Sequence, residues 1–203
     1  MVGGLPDHLK RLALRVAQHE MGHYVVARVL GVPTSDVSLE IIGPIDGHRG
    51  EADVRLAQPL FSLRDVEMYL RRRVKVLYAG ALAETLPARA PVKQVDNERA
   101  IKILRCPGNG AEQDYAKVRE LIHLLRNVRQ QGNELNATAI QAELDSLSHE
   151  LWNEARQLVE KHAETIVGLA FNLASRVHEP KRKVAILQAE LEALPAVKAL
   201  TPE

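Results

Sequence analysis

The chain has 203 residues, 46% apolar and 26% charged, a length and composition that suit one globular domain and exclude a disordered linker. Lys and Arg number 27 against 26 Asp and Glu, a formal charge of +1, so no global field draws in nucleic acid or an anionic membrane. The longest charge-free stretch, Thr165 to Ser175, has eleven residues, well short of the roughly 20 that cross a bilayer.

The chain opens on Met1-Val2-Gly3-Gly4, without the basic and apolar regions of a secretion signal. Its lone Cys106 cannot close an internal disulfide. Both features fit a cytoplasmic placement. Leu, Ala, Glu and Arg dominate while aromatics make up 3%, which favours helices because straight side chains lose little rotamer freedom there. The first helix is expected from about Leu9 to Leu30, with Asp7 as N-cap, with Leu12, Val16, His19, His23 and Val26 on one face, and with Gly31 and Pro33 stopping it.

Val37, Leu39 and Ile41 alternate along a strand ending near Gly43, Pro44-Ile45-Asp46-Gly47 makes a turn, and Arg49 to Arg55 offers a weaker second strand. Helix returns from Leu63 to Thr85 and ends at Pro87 and Pro91. Residues 87–109 form an irregular insertion with a short helix around Asn97 to Leu104. A helix then runs to about Gln130 and breaks at Gln131-Gly132-Asn133. One long amphipathic run is expected from Ala137 to Val177, and a last helix from Val184 to Leu194 closes a C-terminal helical region at 137–194. The fold class that follows is mainly α with a small β-hairpin or sheet, in a single domain over 1–203.

One segment carries chemistry. His19-Glu20-Met21-Gly22-His23 lies inside the first helix, and residues four apart on a helix stand one above the other, so both imidazoles can converge on one metal ion. Glu20, about 100° further round, can take a proton from water beside that ion without being a ligand. Gly22 costs a mid-helix about 1 kcal/mol relative to Ala, which implies a close neighbour. A catalytic zinc site takes three protein ligands and keeps a fourth position free. Val29 stands where another known arrangement has its third histidine; Glu84 and Asp114, each an acid in helical context, are the candidates.

Around these residues the chain resembles, over nearly its whole length, the peptidase domain of the FtsH-type AAA zinc metalloproteases. That family carries His-Glu-Ala-Gly-His in its first helix, a strand ending Ile-Ile-Pro, a helix with Gly-Gly-Arg-Ala-Ala-Glu-Glu, and Thr-Gly-Ala-x-Asn-Asp opening another helix. Here the counterparts are His19 to His23, Ile41-Ile42-Gly43-Pro44, Ala79 to Thr85, and Asn109 to Asp114, with Gln113 where the family has Asn. The resemblance implies a helical zincin-like metallopeptidase fold with Zn²⁺ held by His19, His23 and Asp114. It also implies Glu20 as catalytic base and Glu84 orienting a ligand or its helix. About 30 residues separate Glu84 from Asp114, roughly twice the family's spacing, and the extra length falls in the 87–109 insertion. A stand-alone peptidase is expected, without the family's ATPase module and membrane anchor. It would act on peptides or unfolded segments, with an ATPase supplying them in trans, and self-associate as the family does.

The strand from Val37 to Ile42, if it lies at the sheet edge beside the cleft, could hold an extended peptide by main-chain hydrogen bonds. Arg71-Arg72-Arg73 reads as a solvated helix face, His48 as an exposed residue of the turn after the first strand that could border the cleft, and Cys106 as an incidental loop thiol. The competing reading is a peptidase-derived binding module whose metal is structural or lost.

Overall fold

A computed structural model describes residues 5–43, 47–54, 59–88, 94–108, 110–129 and 136–202. The fold is mainly helical with a small three-stranded antiparallel sheet. Helix α1 (Asp7–Val29) is the hub: it packs against α2 (Leu63–Ala83), α6 (Ala163–Ser175) and both long strands, β1 (Thr34–Gly43) and β2 (Gly47–Val54). From Val16 to Ala27 every side chain of α1 is buried, so this helix has no solvent face along its second half.

The helix starts one residue earlier than an Asp7 cap would place it. Pro6 is the N-cap, its carbonyl accepting from the Leu9 and Lys10 N–H groups, while Asp7 is already helical and pairs with Lys10 at 3.1 Å. At the other end Gly31 adopts a left-handed φ of +67° and the Val32 N–H donates to Ala27 O, a turn that only glycine makes without strain. Ser62 caps α2 by accepting from the Asp65 N–H.

Strand order is β2-β1-β3, with β3 (Val184–Ile186) antiparallel to β1 through Val37↔Ile186 and Leu39↔Val184. Two expectations change together here. The segment from Val184 does not begin a helix; it forms a strand, followed by α7 (Gln188–Ala193) and α8 (Pro195–Lys198). The condition on Val37 to Ile42 is therefore not met, since that strand is central, and β2 is the edge that faces the cleft. Val184 and Ile186 are β-branched, and the open side of β1 supplies the hydrogen-bond partners that decide the conformation.

The long run from Ala137 is also two helices, α5 (Ala137–Lys161) and α6, broken at His162 with φ −105° and ψ 17°. Its two halves serve different partners, α5 resting chiefly on α2 and α6 on α1. Arg71 is not part of a solvated face: it reaches Glu150 at 2.5 Å and Glu154 at 2.7 Å, and Lys75 adds Glu154 at 2.9 Å, which docks α2 on α5. Within the 87–109 insertion, α3 (Asn97–Arg105) is capped by Asp96. It is tied down by Trp152 Nε1 donating to Asn97 and by the Asp96 N–H donating to Thr85. Helix α4 (Glu112–Arg129) follows. The turn at Pro44-Ile45-Asp46, the terminator Pro91, the strand end at Arg55 and the break at Gln131-Gly132-Asn133 lie outside the described residues.

The close neighbour that Gly22 implies is α2. A Cβ on Gly22 would sit 2.5 Å from Ala83 Cβ and 2.6 Å from the Ala79 carbonyl oxygen. Intrinsic preference alone would make Gly22→Ala stabilising by about 1 kcal/mol. The α1–α2 contact reverses that sign, and a loss of about 1–3 kcal/mol is expected, read as a lower midpoint in urea unfolding. A raised midpoint would mean that the two helices separate without cost.

Candidate metal centre

Four-residue spacing on α1 stacks His19 and His23, whose rings lie 4.7 Å apart at 81°. Both are buried, at 8% exposure. What lets them point the same way is Gly80 on the facing helix, since a Cβ there would fall 2.5 Å from His23 Nε2 and 2.6 Å from His19 Nε2. Gln18, one residue before, fixes the helix pair by donating to Leu86 O at 2.8 Å and Ala83 O at 3.3 Å.

Asp114, in the first turn of α4, brings the third donor. Its Oδ2 lies 3.2 Å from His19 Nε2 and 3.1 Å from His23 Nε2. Donors around a tetrahedral ion with bonds of about 2.0–2.1 Å stand roughly 3.3 Å apart, so the two imidazole nitrogens and the carboxylate are already spaced as a ligand set. All three donor atoms lie within 4.8 Å of one another, and among the described residues no other His, Cys, Asp or Glu joins them. The group is one that could hold a metal ion.

Each ligand is held from behind. His23 Nδ1 donates to the Val76 carbonyl at 2.7 Å, which leaves Nε2 for the centre. His19 Nδ1 faces Glu84 Oε2 at 3.4 Å, and Arg15, one helical turn before His19, reaches Glu84 Oε1 at 2.9 Å. Glu84 is thus outside the donor trio and orients His19. Arg15 and Gly80 escaped the sequence reading. Arg15 falls four residues before His19, a signal that could have been used, whereas the role of Gly80 depends on a tertiary approach.

Glu20 is buried at 7% exposure beside the centre, in the same cleft as the three donors. Gly50 on β2 makes room for it, because any side chain there would run into the Glu20 carboxylate, and the Ala52 N–H donates to that carboxylate. The cleft, about 1020 Å³, runs between β2 on one side and α2 and α4 on the other. His48 borders it, half-buried on β2 rather than in the turn, on the same face as Gly50 and Ala52. Cys106 is exposed, just past the end of α3.

Electrostatics in the metal-free protein follow from this packing. Burial disfavours charge on His19, yet its hydrogen bonds to Asp114 and Glu84 outweigh that and push it up to about 10. Burial likewise opposes ionisation of Asp114, but His23 and His19 hold it below the usual carboxylate range. Glu84 is also lowered, burial being overcome by His19 and Arg15. Glu20 is raised, chiefly because it is buried. Burial lowers His48 as well.

The chain matches no protein-family model and no curated protein.

A cation entering this site must displace the proton that His19 keeps up to a pH of about 10, whereas Asp114 is already ionised. The apparent affinity for Zn²⁺ is therefore expected to rise about tenfold per pH unit between about pH 6.5 and 8.5. Titration against a chelating indicator checks this, and a flat profile would contradict the proton-bearing His19.

Proposed function

We propose that this chain is a zinc-dependent endopeptidase similar to the peptidase domain of the FtsH-type AAA zinc metalloproteases, cleaving peptides or unfolded protein segments. The observation that carries the reading is the convergence of His19, His23 and Asp114 at ligand spacing with one position free and a buried glutamate alongside. Two imidazoles and one carboxylate suit zinc among the common divalent cations. A structural site would close on four protein ligands and would have no use for Glu20.

Zinc would be held by His19, His23 and Asp114, and there it would supply Lewis acidity and lower the pKa of water. Glu20 takes the proton from the attacking water and passes it to the leaving amine. The Ala52 N–H holds the carboxylate in place. Glu84 and Val76 keep the two imidazoles turned inward throughout. Strand β2, paired on one side by β1, offers its outer edge to an extended peptide through main-chain hydrogen bonds. Substrates must reach this cleft unfolded, which is where an ATPase in trans and a cytoplasmic setting fit the reading. No helix among the described residues is long and apolar enough to cross a membrane.

The decisive comparison is wild type against Glu20→Gln on an unstructured protein, with zinc measured by elemental analysis. About one zinc per chain is expected in both, with kcat/KM lower by about 10²–10⁴-fold in the variant. Equal cleavage by the two would remove Glu20 from the chemistry. Bound zinc without hydrolysis of any peptide in a broad library would favour the binding-module reading.

A further inference from the structure

We propose that the cleft selects peptides bearing an acidic side chain to one side of the scissile bond, received by a subsite formed by Arg73 on α2 and Lys117 on α4. The proposal rests on the peptide-cleaving reading above and names its substrate class.

Both cations line the same cleft as the metal centre. Helices α2 and α4 run antiparallel: at one end Asp114 meets the imidazoles that Gly80 accommodates, and at the other Arg129 pairs with Glu67 at 3.0 Å. Arg73 lies seven residues before Gly80, about 10 Å along the helix, and Lys117 lies one turn after Asp114. In antiparallel helices these displacements point the same way, so the two cations stand on one side of the centre. An extended peptide advances about 3.3 Å per residue, so one running along these helices would meet the subsite within about three residues of the bond to be cut.

The charges of the cleft are unequally satisfied. Glu84 and Asp114 are engaged at the centre, and Glu20 accepts from Ala52. On the rim Glu40 faces Arg49 at 4.0 Å, Glu51 faces Lys183 at 3.6 Å, and Glu112 accepts from the Gly108 N–H. Asp53 has a partner too. Among the described residues no carboxylate pairs with Arg73 or Lys117, although Arg73 is half-buried. A half-buried guanidinium and an exposed ammonium lining one cleft, without anions among the described residues, are complemented by a carboxylate that arrives with the substrate.

The test uses the zinc-loaded full chain with Glu20→Gln, so that bound peptides stay whole, and fluorescein-labelled unstructured peptides that differ by one Glu, Gln or Lys at a scanned position. Fluorescence anisotropy is expected to show the Glu peptide binding about three- to tenfold tighter than the Gln peptide at positions on one side only, an advantage that fades with salt. Adding Arg73→Glu and Lys117→Glu should invert the order so that the Lys peptide binds best. The milder pair Arg73→Gln and Lys117→Gln, with an unaltered circular dichroism spectrum, should abolish the preference. Charge-blind binding, or an order that the reversal leaves unchanged, overturns the proposal. Glu-selective binding with no cleavage by the protein that retains Glu20 supports the subsite and overturns the hydrolase reading. Cleavage of all three peptides at equal kcat/KM and equal affinity overturns the subsite alone.

Discussion

Two imidazoles and a carboxylate taken out of water at one point are costly unless they satisfy one another or a shared ion, and the packing around α1 is arranged by that requirement. His19 and His23 face inward from a helix whose buried residues are otherwise mostly apolar. They are tolerated because Glu84, Val76 and Asp114 meet their ring nitrogens. Small residues follow from the same demand: Gly22 lets α2 approach, Gly80 leaves a socket for the rings, and Gly50 brings the edge strand onto Glu20. The elements of the site are therefore conditioned on one another. Arg15 illustrates how far this extends, since a half-exposed cation at the rim of α1 serves to keep Glu84 ionised behind His19.

What could be read from the sequence was mostly what is local. The pairing of His19 with His23 and the flanking place of Glu20 need only helical geometry, and the helical majority follows from composition. Asp114 is 95 residues from His19, and spacing alone left it level with Glu84; a family resemblance separated them. The sheet shows how one local misreading spreads. Val184 to Ile186 is too short to display a period, so it merged with the helical pattern after it, and without that strand β1 looked like an edge. Likewise nothing in the periodicity of Ala137 to Val177 announces a break at His162, because both halves bury apolar stripes and only their partners differ.

The placement of the insertion bears on access. Its helix α3 is fastened to Thr85, just past the end of α2, and to α5 through Trp152. The loop that leads from it into α4 returns to the cleft: Gly110, at φ +90°, lies against His48, where a Cβ would stand 3.0 Å from its Nε2. Asp114 follows within one turn.

An edge strand open to a peptide, as proposed for β2, is equally open to the same strand of a neighbouring copy, which is how sheets grow into aggregates. On β2 the outward positions Arg49 and Glu51 carry opposite charges and are exposed, and Gly47 and Gly50 offer no apolar surface for a second copy to grip. Two such strands meeting edge to edge would have to bring charged side chains together with little hydrophobic contact in return. A transient visitor anchored elsewhere in the cleft escapes that penalty, so the strand can stay available without becoming a seed for runaway stacking.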